Sequence, residues 1–135
     1  MKLRIISFGF RYGVPPEAAL ILDARSINNP HRDPELRMKT GLSKDVRLRV
    51  LGHPSAVQLI DYARLQVATA AQKGKHVFIL GIGCTSGRHR SVALAEHLAD
   101  LFKAEGLLAA VAVKHRDMLW GHNPSSESVR RRGVE

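Results

Sequence analysis

The segment Gly81-Ile-Gly-Cys-Thr-Ser-Gly-Arg-His-Arg-Ser91 gathers the residue types that hold phosphate. Glycines at 81, 83 and 87 let a backbone turn tightly enough for successive N–H groups to point inward. Thr85, Ser86 and Ser91 add hydroxyl donors, while Arg88 and Arg90 add charge in a planar fork that matches phosphate oxygens in pairs. A buried apolar run precedes this turn and a helical pattern follows it. The turn therefore sits at a helix N-terminus, where orphan N–H groups and the helix dipole favour an anion. The composite is an anion cradle, most naturally for phosphate.

Three sharper chemistries compete for the same loop. ATP cleavage through G-x-x-x-x-G-K-[ST] is excluded, because no glycine pair in the loop has that spacing. Gly81-x-Gly83-x-x-x-Gly87 has some likeness to a dinucleotide loop, but it follows a late strand, lacks the standard third glycine position and would have to accommodate Arg88 and His89. Cys84-x-x-Gly87-x-x-Arg90-Ser91 is similar to the C-x-x-G-x-x-R-[ST] signature of cysteine-dependent phosphatases. There a thiolate at the base of a nest of N–H donors attacks phosphorus while the arginine holds the equatorial oxygens. Gly83 stands where those enzymes usually carry histidine, and Asp33 or Asp117 would have to serve as general acid. In the plainer alternative, Cys84 is a small residue packed beneath a binding site.

Outside the loop, Asp23 ends an apolar run and could accept a hydrogen bond from a sugar hydroxyl or amine. Arg25 could hold a phosphate, or pair with Asp23 to brace the chain. His31 and His89 each lie beside arginine in polar loops and suit donation to a sugar phosphate. The seven histidines include no H-E-x-x-H and no zinc-finger pairing, so no metal site is expected, and nothing calls for a cofactor.

The elements that must position these groups follow from periodicity. Lys2–Phe8 and Ala19–Ala24 read as strands, separated by a Gly/Pro-punctuated loop. Ser26–Gly41 is a long polar loop, and Ser43–Leu51 reads as a short helix. A longer helix starts at Pro54-Ser55, repeats apolar residues at Val57, Ile60, Ala63, Val67 and Ala71, and stops at Gly74. His76–Ile82 is nearly continuous apolar sequence, the pattern of a strand buried on both faces. A further helix carries Leu94, Leu98, Leu101 and Phe102 to Gly106, and Leu107–Val113 reads as a strand. Such a β-α-β order suits a right-handed parallel crossover, so the class is α/β: one domain with a central, largely parallel sheet flanked by helices.

The chain has 135 residues, of which 44% are hydrophobic and 24% charged, the profile of one folded domain. Residues 1–120 read as that domain and 121–135 as a basic, flexible tail. Lys and Arg number 21 against 12 acidic residues, a net charge of +9 that favours an acidic partner. No acidic residue lies between Asp61 and Glu96, whereas Arg64, Lys73, Lys75, Arg88 and Arg90 do. Aromatic residues make up only 5%, which disfavours a wide base-stacking platform. The lone Cys84 excludes an internal disulfide, and no apolar run is long enough to span a membrane. The expected compartment is the cytoplasm.

Several motifs, in order, resemble the C-terminal domain of the RapZ family: Phe8-Gly-Phe-Arg-Tyr-Gly, Asp23-Ala-Arg-Ser-Ile-Asn-Asn-Pro-His31, Asp33-Pro-Glu-Leu-Arg37, Thr40-Gly-Leu and Gly83-Cys-Thr-Ser-Gly-Arg-His-Arg-Ser91. The resemblance runs from about Ile6 to Trp120. It implies an α/β unit like a phosphofructokinase subdomain that binds glucosamine-6-phosphate and a regulatory small RNA, self-associates, and presents the RNA to a ribonuclease. The sugar-phosphate residues it implies are Asp23, Arg25, His31, Cys84, Thr85, Gly87, His89 and Arg90. Lys114, His115 and Arg116, with Arg130, Arg131 and Arg132, correspond to the family's basic RNA-contacting end. Two departures stand out. Full-length members carry an N-terminal nucleotide-binding domain with a Walker A loop, absent here, and Ser86 stands where glycine is usual.

Overall fold

The structure is a computed structural model and describes residues 1–119. Arg130, Arg131 and Arg132 therefore lie outside the described residues. Four strands form one sheet: β1 (Lys2–Gly9), β2 (Leu20–Asp23), β3 (Val77–Cys84) and β4 (Ala110–His115). Their order is β2-β3-β1-β4, and every pairing is parallel. Three helices flank the sheet: α1 (Lys44–Leu51), α2 (Pro54–Gln72) and α3 (Arg90–Glu105). The α/β class and parallel sheet expected from the sequence are what the structure shows.

Alternation along β1 divides the sheet into two faces. Leu3 and Ile5 are buried, whereas Lys2 and Arg4 are exposed. Leu3 and Ile5 join Leu22, Leu80 and Ile82 in a core with Val46 and Val50 of α1, Ala63 and Val67 of α2, and Leu94 and Leu98 of α3. Burying each large aliphatic side chain contributes about 1.5–3 kcal/mol. All three helices pack on this face, because the right-handed crossovers β2→β3 and β3→β4 both step in the same direction across the sheet.

Local signals account for the helix ends. Pro54 opens α2 where its missing N–H costs nothing, and the His53 ring accepts a hydrogen bond from the Ser55 N–H at 3.1 Å. Gly106 closes α3 in the left-handed conformation, its N–H donating to the Phe102 carbonyl. The apolar stripe expected on α2 is rotated in the structure. Ala56, Ala63, Val67 and Ala70 face the core, and Val57 and Ala71 face outward. Likewise β3 is buried on both faces only in its upper half, since Val77 is exposed. Strand β4 starts later than expected, at Ala110, after Leu107–Ala109 have turned the chain.

Parallel pairing brings every strand's carboxyl end to one edge. Asp23 pairs with Gly83, Gly9 with Cys84, and Ser7 with His115. Ligands of open α/β sheets bind at this edge.

Candidate functional site

The Thr85–His89 loop leaves β3 at that edge and enters α3. Two glycine contacts set its shape. Gly87 has φ of +78°, and a Cβ there would lie 2.6 Å from the Gly9 nitrogen. A Cβ on Gly83 would meet the Phe8 and Phe10 rings at 2.5 and 2.6 Å, so those edge-to-face rings occupy the space that a histidine before Cys84 would need.

The loop lies against the N-terminus of α3, which has no side-chain cap and no acidic residue in its first turn. Among the described residues, the N–H groups of Ser86 and Gly87 donate to no carbonyl. Two buried side-chain nitrogens on the residues that open α3, His89 Nε2 and Arg90 Nε, also have no hydrogen-bond partner among the described residues, and the His89 ring lies against the backbone of Leu36, Arg37 and Lys39. Leaving such groups unmet costs about 1–3 kcal/mol each, a cost that an anion in the loop would offset.

Arg90 is a strut as much as a ligand group. One terminal nitrogen donates to the carbonyls of Arg25 and Ile27 at 3.1 and 3.0 Å, and the other lies 3.4 Å from Thr85 Oγ1. It thereby ties α3 to the turn after β2. Arg88 donates to the Met38 carbonyl and is buried. The Thr85 hydroxyl is at the exposed rim, and Ser86 is half-buried.

Cys84 is 2% exposed, and its Sγ is 3.2 Å from the hydroxyl of fully buried Ser91. That contact joins the first and last residues of the phosphatase-like signature. The proposed general acids are otherwise engaged: Asp33 pairs with Arg49 at 2.8 Å, and buried Asp117 accepts from the Gly9 N–H and from Arg116.

On one side of the loop Asp23 and Arg25 form a two-bonded pair, at 2.9 and 2.7 Å. This bond holds the Asp23 carboxyl below its usual pKa. The Arg25 guanidinium also stacks over the Phe10 ring at 3.9 Å, so Phe10, Arg25 and Asp23 form a wall at the mouth of the site. On the other side the His31 ring lies 6.3 Å from that of His89. Burial, and secondarily Arg88, pushes His89 down to about 4, so its ring is neutral at pH 7.

The structure thus brings Asp23, Arg25, His31 and Thr85–Ser91 to one edge. Lys114, His115 and Arg116 end β4 at the same edge, with divergent contacts. His115 bridges Ser7 and Glu96, Arg116 pairs with Asp117, and Lys114 is exposed on the face away from the helices. Phe10, Gly9 and Gly41 were missed as site residues. Gly41 packs against α3, and its N–H donates to the Arg88 carbonyl. The closely spaced glycines of Phe8-Gly-Phe-Arg-Tyr-Gly and the Thr40-Gly pair were their signal.

Other features divide from this site. A cavity of about 580 Å³ lies between α2, α3 and Leu107-Leu108, lined mainly by apolar groups, with Arg64 already paired to Glu105. It offers no anion cradle. Among the described residues no cluster of three or more His, Cys, Asp or Glu side chains could hold a metal ion, and no helix is long and apolar enough to cross a membrane.

Comparison with known proteins shows the family of the chain. A nucleotide-binding protein of Streptomyces coelicolor is 44% identical over 122 residues, covering 87% of this chain and 40% of that protein. A nucleotide-binding protein of Thermus thermophilus is 44% identical over 119 residues, covering 86% of this chain and 42% of that protein. One from Thermotoga neapolitana is 42% identical over 123 residues, covering 87% and 43%. The chain spans about two-fifths of the length of these relatives. The family model described as the RapZ C-terminal domain matches residues 1–119, and this chain belongs to that family.

Proposed function

We propose that this RapZ-type regulatory domain binds a phosphorylated amino sugar of the glucosamine-6-phosphate class in the Thr85–Ser91 loop and works as a sensor or adapter with RNA as its second partner. The carrying observation is the uncapped, acid-free start of α3 with the buried nitrogens of His89 and Arg90 lacking partners beside it. An anion there meets the Arg90 Nε–H and the Ser86 and Gly87 N–H groups, donors that otherwise meet no acceptor among the described residues. The Asp23 carboxylate on the wall supports an amine or hydroxyl on the ligand, and exposed Thr85 supports a further oxygen. The same reading includes a cytoplasmic setting, self-association and a ribonuclease as protein partner. The relatives' nucleotide binding belongs to proteins of which this chain matches two-fifths.

One contact favours a second reading, a cysteine-dependent phosphatase: the 3.2 Å approach of Ser91 Oγ to Cys84 Sγ, which would steady a thiolate. The engagement of Arg90 with two backbone carbonyls favours binding over turnover.

Calorimetric titration with glucosamine-6-phosphate, against glucosamine, glucose-6-phosphate and inorganic phosphate, tests the proposal. Selective binding without phosphate release supports the sensor, and equal weak binding of all the phosphates overturns the sugar selectivity. Sustained heat from turnover that Cys84→Ser abolishes would establish the phosphatase.

A further inference from the structure

Among the described residues, the second face of the sheet lacks its usual cover. Parallel sheets occur almost only with both faces packed, because their crossovers place helices on them. Here the one crossover that steps the other way, from β1 to β2, contains only a short 3-10 turn at Phe10–Tyr12. Its Ala18 covers Gly81, and no other described residue covers the strip over β1 and β4 beyond it.

The register defines this strip. Arg4 sits between Ile79 and Ala112, and Ile6 between Gly81 and Lys114. Lys2, Arg4, Ala112 and Lys114 are exposed, while Ile6 and Ile79 are half-buried, and a cavity of about 120 Å³ opens among them beside Glu17. No ion pair among the described residues involves Lys2, Arg4 or Lys114. From β3 to β4 the strip is two strand spacings wide, about 10 Å, which is the diameter of one helix. From Lys2 to Ile6 it is about 13 Å long, or two to three helical turns.

The geometry points to this strip as a docking site for an acidic amphipathic helix of another polypeptide, its apolar stripe on Ile6, Ile79 and Ala112 and its carboxylates on Arg4 and Lys114. Charge complementarity selects that occupant. A second copy related by a two-fold axis would bring Lys2, Arg4 and Lys114 toward the same cations, in a protein of net charge +9. RNA would meet the cations through its phosphates but would leave Ile6, Ile79 and Ala112 without an apolar partner. The inference does not depend on the phosphate loop, which lies at the carboxyl edge of the strands.

The test is amide-shift NMR of the full chain with a capped 14-residue peptide carrying a leucine stripe flanked by glutamates. Comparison probes are the lysine-flanked analogue, a leucine-free peptide of equal negative charge, and poly(U). The glutamate–leucine peptide should shift the amides of Arg4, Ile6, Ile79 and Ala112. Arg4→Glu with Lys114→Glu should weaken it about tenfold, while the equal charge change Lys73→Glu with Lys103→Glu should leave it within about twofold. Equal binding of the leucine-free peptide, equal loss in both double variants, or shifts mapping elsewhere would overturn the inference. So would stronger shifts of these amides by poly(U), or self-association of the chain through this face in the absence of peptide.

Discussion

Gly87 and His89 show how much of this site rests on single residues. Gly87→Ala would strain a backbone at φ +78° and force a Cβ to within 2.6 Å of the Gly9 nitrogen. Gly106→Ala is the comparison, left-handed with φ of +68° and nothing within 4 Å of its added Cβ. The conformational penalty alone is about 1–2 kcal/mol. Chemical denaturation should therefore show Gly106→Ala at about that cost and Gly87→Ala at clearly more, because only the latter must also separate the loop from β1. Equal losses would mean that the Gly9 approach relaxes without cost.

His89 carries the pH dependence. Its pKa lies at about 4 in the folded chain against an ordinary value of 6.5. The unfolded state therefore binds the proton more readily. The stability that His89 contributes by remaining neutral is complete above pH 6.5 and is lost as pH falls through 6.5 toward 4, by up to about 3 kcal/mol. Denaturation midpoints measured across pH 7.5 to 4.5 should fall, and His89→Gln should flatten that fall. A phosphate dianion beside the ring would stabilise the imidazolium. Binding should then take up protons near pH 6, visible as a dependence of the calorimetric heat on buffer ionisation enthalpy.

At the scale of elements, the junction of α3 with the turn after β2 is held by Arg90. Arg90→Ala would leave the Arg25 and Ile27 carbonyls without their donor, at a cost of about 1–3 kcal/mol by the usual penalty for lost buried hydrogen bonds. It should also release Asp23 and Arg25 from position, so sugar-phosphate affinity should fall further than stability does. Arg90→Lys separates the two roles, retaining charge but not the fork that reaches both carbonyls. A lysine variant that binds as wild type would assign Arg90 to charge alone.

This double duty of Arg90 marks the limit of what spacing reveals. The loop was legible, because glycines, hydroxyls and arginines between an apolar run and a helical repeat constrain one another. Helix α3 was legible too, its Leu94, Leu98 and Phe102 falling on one buried face. The acceptors of Arg90 were not, since two backbone carbonyls more than sixty residues away leave no trace in side-chain pattern. Nor was the central place of β1. Parallel strand order is set by crossover handedness and length, and Leu3 and Ile5 would look the same in an edge strand. On α2 the outward Val57 and Ala71 misled because alanine and valine populate both faces of a helix whose buried side is mostly alanine.

At the scale of the whole molecule, charge is the dominant variable. The excess of 21 Lys and Arg over 12 acidic residues gives a field that attracts any polyanion, so RNA affinity alone would not distinguish recognition from attraction. Salt dependence and variant behaviour can. Contacts to Z phosphates of a single strand give a log–log salt slope of about −0.7Z. Among the basic residues closing β4, Lys114 is exposed, whereas His115 and Arg116 are tied to Glu96 and Asp117. If that end of the chain holds RNA, Lys114→Ala should reduce the slope by about one phosphate's worth, roughly 0.7, while His115→Ala should act mainly through stability. Filter-binding titrations between low and physiological salt would measure both. Slopes unchanged in Lys114→Ala, but reduced on removing the three arginines at 130–132, would move the RNA contact to the tail. A saturating sugar phosphate added to the same titrations would then test coupling: competition would place RNA phosphates in the Thr85–Ser91 loop, and independence would place them outside it.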